Sequence, residues 1–171
     1  LTGQEFELPI LGTHAHSCVQ KFPTELEAFR AYATTYPDKT MLLIDTYNTL
    51  ESGLPNAIKV FDELRANGHE PLGVRIDSGD LEYLSKEIRK ILDDAGYPNV
   101  KITASNDLDE YAISTLKSQG AKIDIWGVGT KLITSSDWPS LGGVYKLSAA
   151  MENGELVPKI KLSEDPQKIN N

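Results

Sequence analysis

The stretch PLGVRIDSGD, residues 71–80, decides the fold. A short apolar, β-branched run ends abruptly in Arg75, Asp77, Ser78, Gly79 and Asp80, the polar residues of a turn and a helix start. That is how a buried parallel strand hands over to its crossover helix. The same handover recurs outward in both directions. Apolar runs ELPIL (7–11), MLLID (41–45), VKITA (100–104) and KIDIW (122–126) each read as a strand, with starts spaced by 34, 30, 29 and 22 residues. Between them, helices are predicted to begin near Thr24, Leu54 or Pro55, Asp80, and Asp107 or Asp109. They are predicted to stop at Asn67-Gly68, Ala95-Gly96 and Gln119-Gly120. This βα rhythm fits either a closed barrel or an open doubly wound sheet, and periodicity does not choose between them. After the fifth run, Gly142 to Leu147 and Leu156 to Leu162 flank Glu152-Asn153-Gly154, which predicts a hairpin with Asn-Gly as its turn. The tail from Ser163 is polar and is expected to be loose.

Composition narrows the function. The 171 residues carry 17 basic and 25 acidic side chains, a net charge of −8. No basic block offers a footprint for a phosphate backbone, so nucleic acid is not an expected partner. No apolar run approaches about 18 residues, so no membrane span is expected. A single cysteine, Cys18, excludes an internal disulfide framework and suits a cytoplasmic setting. The chain lacks an initiator Met and ends in a polar run, and is read as a single fragment, 1–171, of a longer protein.

Each expected strand is followed at once by a polar or glycine-rich cluster: Gly12 to Ser17, Asp45 to Thr49, Arg75 to Asp80, Ser105 to Asp107, and Gly127 to Thr130. In parallel α/β folds the carboxyl ends of the strands share one face, so these clusters converge on one site. Any one of them could be an ordinary turn. Together they hold two histidines, an arginine and several carboxylates, which turns do not require. His14 and His16 suggest a metal hydrolase, but His69 is the only other imidazole and lies at a helix end on the opposite face. A histidine acting as nucleophile or base and oriented by Asp45 fits better. The competing reading is that both histidines only hydrogen-bond within a loop. Arg75 and Asp77 lie two residues apart and so share one side of their strand, where they suit an anionic ligand, a sugar or Mg²⁺, or else form a structural ion pair. Ser105-Asn106 and Gly127-x-Gly129-Thr130 offer backbone amides to a phosphate.

GTHAHS (12–17), LIDTYNT (43–49), GVRIDSGDL (73–81), ASNDLDEY (104–111), IDIWGVGTKL (123–132) and GGVYKLSA (142–149), in this order and spacing, closely resemble nicotinate phosphoribosyltransferase. The resemblance implies the fold of the type II phosphoribosyltransferases, an incomplete α/β barrel, here followed by the β-hairpin. It implies that an N-terminal α/β region and a C-terminal extension lie outside this chain. The implied reaction condenses nicotinate with phosphoribosyl pyrophosphate (PRPP) to nicotinate mononucleotide and pyrophosphate, with ATP as co-substrate and Mg²⁺ assisting, in a homodimeric cytoplasmic enzyme of NAD salvage. Carried over residue by residue, His16 is transiently phosphorylated and Asp45 supports it. Arg75 and Asp77 line the base and ribose region, with Asp77 available to Mg²⁺. Thr13, Ser78 and Gly79 bind substrate, and Ser105, Asn106, Gly127, Gly129 and Thr130 hold the 5′-phosphate. Cys18 stands where the resemblance calls for an aromatic residue. The isolated 171 residues are expected to turn over little. A nicotinamide-specific relative and a non-catalytic phosphate-binding or mononucleotide-binding module are the alternatives.

Overall fold

The computed structural model of the chain describes residues 1–8, 12–134 and 145–159. Four strands form one parallel sheet: β1 (Met41–Leu43), β2 (Gly73–Ile76), β3 (Lys101–Ser105) and β4 (Ile125–Gly127). They are joined by α4 (Leu54–Ala66), α5 (Leu81–Asp94) and α6 (Glu110–Ser118). Ahead of them lie α1 (Thr2–Glu5), α2 (His16–Gln20) and α3 (Glu25–Thr35); α7 (Thr130–Ile133) follows β4. A 3₁₀ turn, Pro37–Lys39, leads into β1, and a π-helical turn, Thr49–Gly53, leads into α4.

The helix starts follow from their caps. Thr24 and Glu27 form a reciprocal capping box on α3, while Asp80 and Asp109 accept bonds from Tyr83 N–H and Ala112 N–H at the starts of α5 and α6. Each satisfies amides that the helix cannot pair itself. The stops fall where predicted, at Ala66, Asp94 and Ser118.

Strand order settles what periodicity leaves open. The order is β1-β2-β3-β4, without the reversal of a doubly wound sheet. Alternate residues then separate into two faces. Leu42, Ile44, Val74, Ile76, Ile102 and Ala104 pack with Phe29, Phe61, Ile88 and Leu92 of the helices in one apolar core. Their neighbours Leu43, Arg75 and Thr103 sit in register across the other face. Helices on one face and a partly polar inner face are the sector of an α/β barrel.

Two elements differ from expectation. Of the first expected strand, Glu7 lies in a turn with φ 53 and Leu8 has no regular structure, while residues 9–11 fall outside the described residues. The hairpin is present, but its first strand is β5 (Ala149–Glu152), paired with β6 (Glu155–Pro158), rather than Gly142 to Leu147. Residues 145–148 are irregular and residues 142–144 and the tail from Ser163 lie outside the described residues. Asn153 and Gly154 have φ 50 and 86, the left-handed pair that a two-residue turn between twisted strands requires. Among the described residues no helix is long and apolar enough to cross a membrane.

Candidate active site

Register builds the site. Ser105 and Gly127 are partners across β3 and β4, while Asp77 and Asp45 each lie two residues beyond the aligned pair Arg75 and Leu43. One rung at the carboxyl end of the sheet therefore carries Asp45, Asp77, Ser105 and Gly127. A Cβ on Gly127 would stand 3.2 Å from the Ser105 Cβ, so glycine permits the close approach of these strands.

The side chains form a continuous polar network. Asp45 is buried, and its Oδ2 accepts from Asp77 N–H at 2.8 Å and from Ser78 Oγ at 2.6 Å. Its Oδ1 accepts no hydrogen bond among the described residues and lies 3.9 Å from His16 Nε2. Asp77 Oδ2 lies 3.7 Å from the same nitrogen. Asp77 Oδ1 accepts from Ser105 Oγ at 2.6 Å and Arg75 Nη2 at 3.3 Å, while Arg75 Nε donates to Ser105 Oγ at 2.8 Å. Burial by itself would raise the Asp77 carboxyl, but His16, Ser105 and Arg75 outweigh it and hold the group well below the usual carboxylate range.

His16 opens α2, which brings its ring back over the ends of β1 and β2. Nδ1 lies 3.1 Å from Thr46 Oγ1 and Nε2 faces the two carboxylates. Both carboxylates favour a proton on Nε2, and in that tautomer Nδ1 accepts from the Thr46 hydroxyl, so the ring is held at both nitrogens. The sequence assigns no role to Thr46; its place next to Asp45 in LIDTYNT is the signal that points to it.

His14 goes elsewhere. Its Nε2 accepts from Leu43 N–H at 3.1 Å, its ring packs 4.7 Å from that of Tyr32, and burial pushes its pKa down to about 4. Thr13 Oγ1 donates to the Met41 carbonyl at 2.8 Å. These two side chains pair with the outer edge of β1, which places Thr13 away from the polar network. Gly79, with φ 80, shapes the turn between Ser78 and the α5 cap. Asn106 and Asp107, with φ 110 and 47, are non-glycine residues in left-handed backbone directly after Ser105. Strain of this kind concentrates at ligand sites. Gly129 and Thr130 lie beyond β4, exposed, at the start of α7.

The described residues do not assemble a resident metal centre. No group of three His, Cys, Asp or Glu side chains among them could hold an ion, and both Asp77 oxygens already face donors.

Fold and site together define an α/β-barrel protein with a histidine, two carboxylates and an arginine gathered at the carboxyl ends of its strands. No family model matches the chain. It is 54% identical over 169 residues to nicotinate phosphoribosyltransferase of Bacillus subtilis, covering 98% of this chain and 34% of that protein. The Dictyostelium discoideum nicotinate phosphoribosyltransferase is 38% identical over 209 aligned positions, covering 96% and 35%. The crystal structure of the human nicotinic acid phosphoribosyltransferase superposes with a TM-score of 0.68 at 29% identity, covering 74% of this chain and 36% of that one. The chain belongs to the nicotinate phosphoribosyltransferase family. It spans about a third of the length of these curated relatives, 34% and 35%.

Proposed function

We propose that this chain carries the catalytic centre of an enzyme that condenses nicotinate with PRPP, coupled to ATP hydrolysis through His16. The observation that carries the reading is the His16 ring, set between Thr46 on one nitrogen and Asp45 and Asp77 on the other. The Thr46 hydroxyl turns away from Nδ1, and that nitrogen attacks the γ-phosphorus of ATP; the N–P bond forms as the bond to the departing ADP oxygen breaks. The proton on Nε2 stays, and the two carboxylates stabilise the positive charge that develops on the ring. Water later hydrolyses the N–P bond to release phosphate.

In the condensation, the pyridine nitrogen bonds to the anomeric carbon as the C–O bond to pyrophosphate breaks. Carboxylates on this face oppose the positive charge that grows on the ribose ring. Arg75 gives Nε to Ser105 and Nη2 to Asp77, and its positive charge at this face supports the reading that an anionic group of the substrate binds beside it. The left-handed turn at Asn106 and the close strand approach at Gly127 support a reading in which backbone amides there hold the 5′-phosphate. Mg²⁺ enters bound to the substrates' pyrophosphate and triphosphate. The setting is cytoplasmic and the full-length enzyme a homodimer, with the 171 residues alone turning over little.

The test is a product assay on the full-length protein carrying this sequence, with and without His16→Ala, supplied with Mg-ATP, PRPP and either nicotinate or nicotinamide. The expected result is mononucleotide from nicotinate, with ATP coupling lost in the variant. Absence of product from both bases, with PRPP binding retained, would overturn the reading in favour of a binding module.

A further inference from the structure

Asp45 acts only if its carboxylate stays between the Asp77 amide and the His16 ring, yet the residue follows a three-residue strand at the sheet's edge. Two groups outside the polar network hold it there.

The first is steric. Ile44 N–H donates to the Arg75 carbonyl at 3.0 Å, which extends the β1–β2 ladder to the residue before Asp45. On its carbonyl side, Ile44 is covered by the backbone of Gly53. Gly53 has φ −58 and ψ −55, helical values that any residue adopts, so the glycine is not required by its torsions. It is required by space: a Cβ there would overlap the Ile44 carbonyl oxygen and stand 2.7 Å from the carbonyl carbon. Backbone rests directly on backbone, and the Ile44–Asp45 peptide is clamped between Arg75 and Gly53.

The second is a buried anchor behind the clamp. The π-helical turn Thr49–Gly53 is held at its start by Asn48, whose Oδ1 accepts from Leu50 N–H and Glu51 N–H and whose carbonyl accepts from Gly53 N–H at 2.8 Å. Across from it, Glu25 at the start of α3 accepts on Oε2 from Ser52 Oγ at 2.9 Å and from Asn56 Nδ2 at 3.0 Å. Glu25 is buried, its Oε1 has no hydrogen-bond partner among the described residues, and burial pushes its carboxyl up, with the neighbouring Asp45 charge adding to the rise. Burying this carboxyl is costly, and the bonds from Ser52 and Asn56 offset that cost. The same bonds tie the start of α3 to the turn that covers Ile44 and to the first turn of α4. Single π-turns within α-helices are frequent at functional sites, and this one runs directly into α4.

We propose that Gly53 and Glu25 are positioning residues for catalysis: the turn they pack and anchor sets Asp45 against His16. The proposal rests on the reading of His16 as the phosphorylated residue.

It is tested in the full-length protein with Gly53→Ala, Glu25→Ala and Glu25→Gln. The glutamine amide keeps an oxygen for Ser52 and Asn56 and so isolates geometry from charge. Because an ångström of misplacement costs a reaction about 100-fold, Gly53→Ala is expected to lower kcat by about that factor and Glu25→Ala by about tenfold, with KM for PRPP within about threefold. Glu25→Gln is expected to restore kcat to within about threefold of the parent. The ¹⁵N resonances of the His16 imidazole, read without any substrate, are expected to move in Gly53→Ala and Glu25→Ala and to return in Glu25→Gln. If Gly53→Ala does not fold, the two Glu25 variants decide. Folded Gly53→Ala and Glu25→Ala proteins with parental resonances and kcat would overturn the proposal. So would a Glu25→Gln variant as impaired as Glu25→Ala. If the parent forms no product but the resonances move as expected, the functional reading fails, the catalytic part of the proposal falls with it, and only the packing of Asp45 against His16 stands.

Discussion

Replacing Asp45 by asparagine separates the electrostatic part of its role from the structural part. Asparagine has nearly the same shape, and its amide oxygen can take the place of Oδ2, keeping the bonds from Asp77 N–H and Ser78 Oγ. Its NH₂ group then faces His16 Nε2, so an attraction to the developing imidazolium is exchanged for a contact between two donors. Unit charges 3.9 Å apart interact by about 4 kcal/mol at an effective dielectric of about 20. The His16 side chain keeps 18% exposure, and solvent screening reduces this to about 2 kcal/mol at the lower end. Transition-state arithmetic converts a loss of about 2 to 4 kcal/mol into a rate lower by about 30-fold to 1,000-fold. Asp45→Asn is therefore expected to slow transfer of label from γ-labelled ATP to the full-length protein by a factor in that range, with its melting temperature nearly unchanged. Asp45→Ala is expected to lose the same rate and also about 2 to 4 kcal/mol of stability, because it leaves a buried N–H and a hydroxyl without their acceptor. Label transfer in Asp45→Asn at half the parental rate or better would refute the electrostatic reasoning. Equal melting temperatures for Asp45→Asn and Asp45→Ala would refute the structural part.

Two further predictions use other parts of the site. His14 titrates at about 4 in the fold against 6.5 in the free side chain, so the unfolded chain binds the proton first; stability present above about pH 6.5 is lost as the pH falls towards 4, by up to about 3 kcal/mol. Urea unfolding across this window should reveal that slope, and His14→Gln, whose amide oxygen still accepts from Leu43, should flatten it. Arg75→Lys retains the charge but not the fork between Ser105 and Asp77, and is expected to raise KM for PRPP about tenfold; an unchanged KM would place the anionic substrate elsewhere.

Much of this protein is legible in one dimension because its signals are local. A capping residue needs amides two or three positions ahead, so Thr24, Asp80 and Asp109 mark their helices without reference to the rest of the chain. The apolar runs mark buried strands, and the polar clusters behind them mark the face where a site must form. The motifs identify the family, and Arg75 and Asp77 meet because alternation along a strand is also local.

Tertiary structure decides what depends on distances across the sheet. Periodicity alone left barrel and doubly wound sheet open; the motif resemblance implied the barrel, and strand order bears it out, since a βα rhythm is the same in both while the pairing partner of each strand is not. His14 and His16 are equivalent in the sequence, two residues apart; burial against Tyr32 makes one an acceptor for the edge of β1, and the start of α2 carries the other to the carboxylates. The bond from the Asp77 amide to Asp45, the place of Thr46 beside the ring, and the contact of Gly53 with Ile44 all join residues whose meeting no spacing rule specifies. Sequence determines which chemical groups each segment can offer, because propensity, capping and alternation act within a few residues. Which of those groups touch is set by packing of the whole chain, because only then do segments about 30 residues apart acquire a distance.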